Sequence, residues 1–215
     1  SSTGVITFKA SPNYESPSDS GGNNVYDITV TASDGSLTNS KAVTITVTNV
    51  DDIAPAFTSA TTGTAAENQN QLYTAAANDS VDYTNGTVTY SLKAATGDVA
   101  ALSINSSSGV VTLASGNLDY ETKSSYSFTV IATDATGNAR EQAVTITVTN
   151  VNESPTVTSS SSATFAENAT GTVYTVTGTD PDAGTTLSYS ISGTDASLFD
   201  INSSTGVITF KASPN

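Results

Sequence analysis

The nonamer AVTITVTNV occupies residues 42–50 and returns unchanged at 143–151, 101 positions further on. Within it Val43, Ile45 and Val47 alternate strictly with Thr44, Thr46 and Thr48. A two-residue period puts the aliphatic set on one face of an extended segment and the hydroxyls on the other, so it suits a half-buried strand and not a helix. Its exact return makes that strand part of a repeating unit. Other landmarks recur at about that spacing, with small insertions: AEN at 66–68 and 166–168, INSSSGVVT at 104–112 against INSSTGVIT at 201–209, and NYE at 13–15 against DYE at 119–121. Only 51–152 holds all of them in order. Residues 1–50 carry the second half of that order and 153–215 the first half. The chain therefore reads as the C-terminal half of one repeat (1–50), a complete repeat (51–152) and the N-terminal half of the next (153–215).

Further alternation fills the unit. YSFTVIA points Tyr126, Phe128, Val130 and Ala132 inward, and YDITVTA does the same with Tyr26, Ile28, Val30 and Ala32. TVTYSL and LSYSI align Val88, Tyr90 and Leu92, and Leu187, Tyr189 and Ile191. Gly-Asn, Ser-Gly and Asp-Gly pairs punctuate these runs, and no amphipathic helix appears. About seven short strands per 100 residues predict an all-β chain of tandem Greek-key β-sandwiches. Residues 1–13 and 203–215 are identical, SSTGVITFKASPN, which predicts a long array of near-identical copies sampled in mid-repeat. Each half-repeat leaves an open sheet edge. The expectation is an excerpt of a longer polypeptide, the alternative being head-to-tail strand complementation between identical chains.

Twenty acids against six bases give a net charge of −14, which repels nucleic acid and anionic membranes and attracts cations. Cys and His are absent, which removes thiol nucleophiles, Ser-His-Asp triads, disulfides and the zinc sites built on those ligands. No run is long and apolar enough to span a bilayer. The acids collect at strand ends and linkers: Glu67 and Glu167 in AEN, Asp119 and Glu121 in LDYE, Glu15 in NYE, Asp34 and Asp134 after the penultimate strands, and Asp180 and Asp182 in TDPDAG. Asp79 and Asp82 stand in NDSVD, and the linkers hold Asn49, Asp51 and Asp52, and Asn150, Asn152 and Glu153.

This set resembles the cadherin repeat, a cadherin-like, Ig-like sandwich. It matches that repeat's Glu near the first strand, its Leu-Asp-Arg-Glu motif, its Asp-x-Asp loop, the Asp ending its penultimate strand, and its linker ending in Pro (Pro55 and Pro155 in this chain). VTNVNESP and INSSTGVIT look specifically like repeats of large bacterial surface adhesins. The resemblance implies calcium held at each joint by one repeat's end, the linker and the next repeat's start. The chemistry agrees, since calcium takes about six to eight oxygen ligands and needs neither His nor Cys. By placement, 14 of the 20 acids fall in these motifs. Carboxylates that crowd together repel by about 4 kcal/mol per pair near 4 Å at intermediate dielectric. Asn49 and Asn150 stand where the linker's leading Asp is expected, Asn13 replaces the Asp beside Glu15, and Asp79 and Asp82 are spaced by three. These departures predict that the joint at 49–55 binds fewer ions, or binds them more weakly, than the joint at 150–155. The implied role is a calcium-stiffened extender or fibre segment at the bacterial cell surface, without enzymatic activity, whose partners are neighbouring repeats or identical chains head to tail. The alternative is an adhesive module that itself contacts a like array, a surface glycan or ice through its outward threonines.

Overall fold

A computed structural model describes residues 3–80 and 86–214. Its regular structure is strand, apart from single 3-10 turns at Val99–Ala101 and Ala196–Leu198. The fold is all-β, as the alternation predicts. Two compact units interleave along the chain. One comprises Ser1–Thr62, Leu72–Ala114 and Ser127–Thr145, and the other comprises Gly63–Gln71, Ser115–Tyr126 and Ile146–Asn215.

In the first unit, β1 (Val25–Ser33) and β2 (Thr38–Thr46) form an antiparallel hairpin that pairs Tyr26 with Ile45 and Ile28 with Val43. These four residues are half-buried while Thr44 and Thr46 are exposed, so the predicted faces are right. Ala32, expected inward, is exposed: it sits near the tip of the hairpin, where no second layer covers it. Past the linker the strands are β3 (Ala56–Phe57), β4 (Thr62–Ala66), β5 (Gln71–Thr74), β6 (Ala77–Asn78), β7 (Thr89–Leu92), β8 (Leu102–Ile104), β9 (Val110–Leu113), β10 (Ser125–Thr133) and β11 (Ala139–Thr149). They pair in the orders β4-β11-β10-β7, β5-β9-β8 and β3-β6, so the chain crosses repeatedly between sheets in the manner of a Greek key. Strands β10 and β11 supply residues to both units.

Leu72 and Val111 on one sheet and Phe128, Val130, Ala132 and Val144 on the other are all buried, with Val111 and Val130 at 0% exposure. Burying one such aliphatic side chain stabilises the fold by about 1.5–3 kcal/mol. The Tyr73 ring stands edge-on to Phe128, their centroids 6.0 Å apart. The INSSSG motif is the β8–β9 turn: Asn105 Oδ1 accepts from the N–H groups of Ser107 (3.0 Å) and Ser108 (2.9 Å), and Gly109 reverses the chain at φ +69°. A Cβ on Gly109 would run into the Ala75 carbonyl.

Buried in the second unit are Ala65, Leu118, Tyr126, Ile146 and Val148. Strand β12 (Thr156–Val157) pairs with β14 (Gly178–Thr179), while β13 (Thr172–Thr175), β15 (Phe199–Ile201) and β16 (Val207–Phe210) form a sheet in the order β13-β16-β15. INSSTG repeats the turn chemistry, with Asn202 accepting from Ser204 and Thr205 and Gly206 at φ +70°. Leu187–Ile191, expected as a strand, forms none. Its counterpart β7 is held by β10, and no described residue after Ile191 supplies an equivalent of β10.

Candidate metal centres

Three groups of carboxylates converge among the described residues, each offering oxygens within 4.8 Å of one another. The first joins Asp51, Asp79 and Asp134, all within the first unit. Asp134 follows β10, and its Oδ1 accepts from the N–H groups of Thr136 (2.9 Å), Gly137 (2.7 Å) and Asn138 (2.8 Å). The Asn138 amide donates to Asp134 Oδ2 (2.9 Å) and to the Asp51 carbonyl (3.0 Å), tying linker to strand end. Burial pushes the Asp134 carboxyl up. Hydrogen bonds from the Asn138 and Thr136 side chains, then from the Asn138 and Gly137 backbone, outweigh it and hold the pKa at about 2. Asp79 is buried beside Gly86, where any Cβ would collide with Asp79 Oδ2.

The second and third groups lie in the second unit and share Glu121: Glu67 with Asp119 and Glu121, and Glu121 with Glu153 and Asp182. Glu67 is 4% exposed. Its two oxygens accept from the N–H groups of Tyr120 (2.7 Å) and Val151 (2.6 Å), which fixes the LDYE segment and the linker against the end of β4. Asp119 accepts from the Thr122 N–H and hydroxyl, each at 2.8 Å, and these bonds hold its carboxyl below the usual range. Asn150 donates to Glu121 Oε1 at 2.9 Å. Lost hydration raises the Glu121 carboxyl first, and the negative charges of Glu67, Glu153 and Asp182 raise it further. Asp182 Oδ2 accepts from the Glu153 N–H (2.8 Å), the largest of the effects that lower its carboxyl. Asp180 in turn caps the Asp182 N–H at 2.9 Å.

Other residues that the sequence marks stand apart from the three groups. Glu15 and Asp52 line one cleft with Asn13 and Thr48. Asn49 is exposed, and Asn152 donates to the Glu153 carbonyl at 3.1 Å. Asp34 caps its own turn through the N–H groups of Ser36 and Leu37, and Glu167 is exposed. Asp82 lies outside the described residues. Two contributors escaped the sequence reading. Asn138 is the first, and Asn68 is the second, whose Nδ2 donates to Glu153 Oε1 at 2.8 Å. Asn68 was within reach, because it closes the recurring AEN tripeptide and both copies take a left-handed conformation (Asn68 φ 65°, Asn168 φ 58°).

With this geometry in hand, the chain can be set against known proteins. The cadherin domain family model matches residues 61–149. Human Protocadherin Fat 4 is 35% identical over 202 residues, covering 87% of this chain, and Drosophila melanogaster Protein dachsous is 30% identical over 232 residues, covering 96%. The chain spans only 4% and 6% of those proteins. Among solved structures, mouse Cadherin-23 EC22-24 superposes with a TM-score of 0.55 at 27% identity, covering 96% of this chain and 68% of that one. Protocadherin gammaB7 EC3-6, solved as a cis-dimer, gives a TM-score of 0.54 at 25% identity, covering 89% of this chain and 52% of that one. Cadherin domains generally bind calcium at repeat junctions, and they are adhesion domains, not enzymes. Residues 61–149 carry a cadherin domain, and the chain's β-sandwich fold is that of cadherin ectodomain repeats.

Proposed function

We propose that this chain is an extracellular extender segment whose repeats (1–50, 51–152 and 153–215) are stiffened by calcium held at 51/79/134 and around Glu121. One observation carries the reading: three carboxylate groups form at strand ends and linkers, although mutual repulsion should drive such groups apart. The donors fit calcium, being oxygen only. Within the third group, Glu153 Oε2 is buried with no hydrogen-bond partner. Bound calcium supplies positive charge that offsets this repulsion. The chain's own asparagines and backbone N–H groups do the rest by orienting the carboxylates. The match over 61–149, inside the proposed complete repeat, supports the boundaries.

The same relatives, which are extracellular-domain adhesion proteins, support a cell-surface location. The bacterial host suggested by VTNVNESP gains nothing from them, since they are animal proteins, and the extender role is proposed without it. Exposed threonines on β2 and β11 are what alternation produces in any case, so no observation favours ice or glycan binding by the repeats. The test is a calcium titration of thermal stability. Ligand at ten times its Kd adds about 1.4 kcal/mol per site, so melting should rise by a few degrees in calcium and fall back in chelator. An unchanged melting curve would sink the proposal.

A further inference from the structure

Asn105-Ser106-Ser107 and Asn202-Ser203-Ser204 both fit Asn-x-Ser/Thr, the acceptor pattern for N-linked glycan. So do Asn78-Asp79-Ser80, Asn85-Gly86-Thr87, Asn152-Glu153-Ser154 and Asn168-Ala169-Thr170. A chain this rich in Ser and Thr meets the pattern by chance, so the pattern alone carries nothing. Geometry separates the sites. Asn105 is exposed at the β8–β9 turn, where its Oδ1 accepts from the N–H groups of Ser107 (3.0 Å) and Ser108 (2.9 Å). Asn202 is exposed at the β15–β16 turn and accepts from Ser204 and Thr205, each at 3.0 Å. Two donors on the oxygen draw the amide's electrons toward it and make the Nδ2 protons more acidic. The turn's backbone is fixed as well: the Asn105 N–H donates to the Val110 carbonyl at 2.9 Å, and the Tyr90 N–H to the Ser106 carbonyl at 2.8 Å. The other sites lack this arrangement. Asn78 lies in β6 opposite Ala56, and the Asp79 inside its pattern is buried. Asn152 spends its Nδ2 on the Glu153 carbonyl, and Pro155 holds Ser154 extended. Asn168 is exposed but left-handed at φ 58°, and Asn85 lies outside the described residues.

We propose that Asn105 and Asn202 are acceptor sites for N-linked glycan, one on each copy of the INSS turn. The co-substrate is an oligosaccharide carried on a lipid diphosphate and presented by a secretory transferase. Asn Nδ2 attacks the anomeric carbon, and the N–C bond forms as the C–O bond to the diphosphate breaks. The lipid diphosphate leaves with the bonding pair, and the amide gives up one proton. The turn can assist this step before the domain folds, because its bonds to Asn105 Oδ1 span only two and three residues. Afterwards the glycan displaces no packing. The exposed Asn105 carries it, while Gly109 anchors the turn against the Ala75 carbonyl. Neither asparagine stands among the converging carboxylates. This inference rests on the extracellular placement proposed above, and not on calcium or on the repeat boundaries.

Site mapping on the full chain, secreted from animal cells behind a cleavable leader, is the test. An amidase that cuts the Asn–glycan bond, used in heavy-oxygen water, converts each occupied Asn to a labelled Asp that peptide mass spectrometry locates. Asn105 and Asn202 should be labelled in most molecules, and Asn78 and Asn152 should not. Ser107→Ala removes the acceptor pattern at Asn105 but keeps the Ser107 N–H that the turn uses. The variant should lose the label at Asn105, keep it at Asn202 and melt like the parent. Mapping of the unmodified chain supplies a reading that no misfolded variant can spoil. An unlabelled Asn105, a label on Asn78 or Asn152 equal to that on Asn105, or a label at Asn105 that survives Ser107→Ala would overturn the proposal. The leader supplies secretion in this experiment, so its failure counts against the acceptor sites alone. The calcium reading is judged separately, by melting.

Discussion

Single carboxylates in this chain do two different jobs, and their hydrogen bonds separate them. Asp19 accepts from the N–H groups of Asn23 and Asn24, both at 3.0 Å, and the Asn23 bond is the main reason its carboxyl lies below the ordinary 3.8. It pins a loop that ends with Asn24 at φ 63°. A carboxyl depressed in the folded state stabilises it above the unfolded value, and that contribution is lost as pH falls through the folded value. In an NMR pH titration, the Asn23 and Asn24 amides should therefore inflect below 3.8, and inflection at the ordinary value would refute the pinning role. Asp134 is held in a similar way but also faces Asp51 and Asp79. Asn138 carries that arrangement, so Asn138→Ala leaves a buried carboxylate short of a donor. It should cost about 1–3 kcal/mol in chemical denaturation. The sequence revealed the acids and hid their holders. Acids cluster visibly in linkers, whereas Asn138 lies in a Gly-Asn turn whose composition suits any loop.

At the scale of elements, alternation made the long strands legible, because a face that must be buried fixes its own register. What alternation cannot report is whether a partner strand exists. TYSL in β7 and SYSI at 188–191 read alike, yet only the first has β10 beside it and becomes a strand. VITF shows the same dependence more sharply, being β16 at 207–210 and irregular, largely exposed chain at 5–8. Tertiary pairing, not propensity, decides these segments. Turns behave differently, since INSSSG and INSSTG form the same asparagine-capped turn in both settings. Gly109 and Gly116 both have positive φ, so either substitution to Ala costs about 1 kcal/mol for the backbone conformation. Only at Gly109 does the new Cβ also meet a carbonyl, that of Ala75, while nothing lies within 4 Å at Gly116. Thermal melts should therefore rank Gly109→Ala clearly below Gly116→Ala, and equal losses would mean that the β8–β9 turn is not packed against Ala75.

Across the whole molecule, a charge of −14 is tolerable when spread over solvent and costly where it converges. Among the described residues convergence is uneven: one triad forms around Asp51, Asp79 and Asp134, and two triads share Glu121. Unequal carboxylate number should produce unequal affinity, so calcium binding followed by calorimetry should resolve two phases, the tighter one belonging to the paired triads. Glu121 gives the decisive substitution because it serves both. Its carboxyl is raised by lost hydration and by the charges of Glu67, Glu153 and Asp182, so without a cation its negative charge is a liability. Glu121→Gln keeps the shape and an amide oxygen but deletes that charge. In chelator the variant should melt above the parent, because repulsion has been relieved. In calcium it should melt below, because both triads have lost a charged ligand, and the tighter calorimetric phase should weaken strongly while the other persists. Such a crossing of the two melting curves cannot come from a general packing defect, which would lower stability in both conditions. If Glu121→Gln lowers melting equally with and without calcium, the carboxylates around Glu121 serve only to brace the linker.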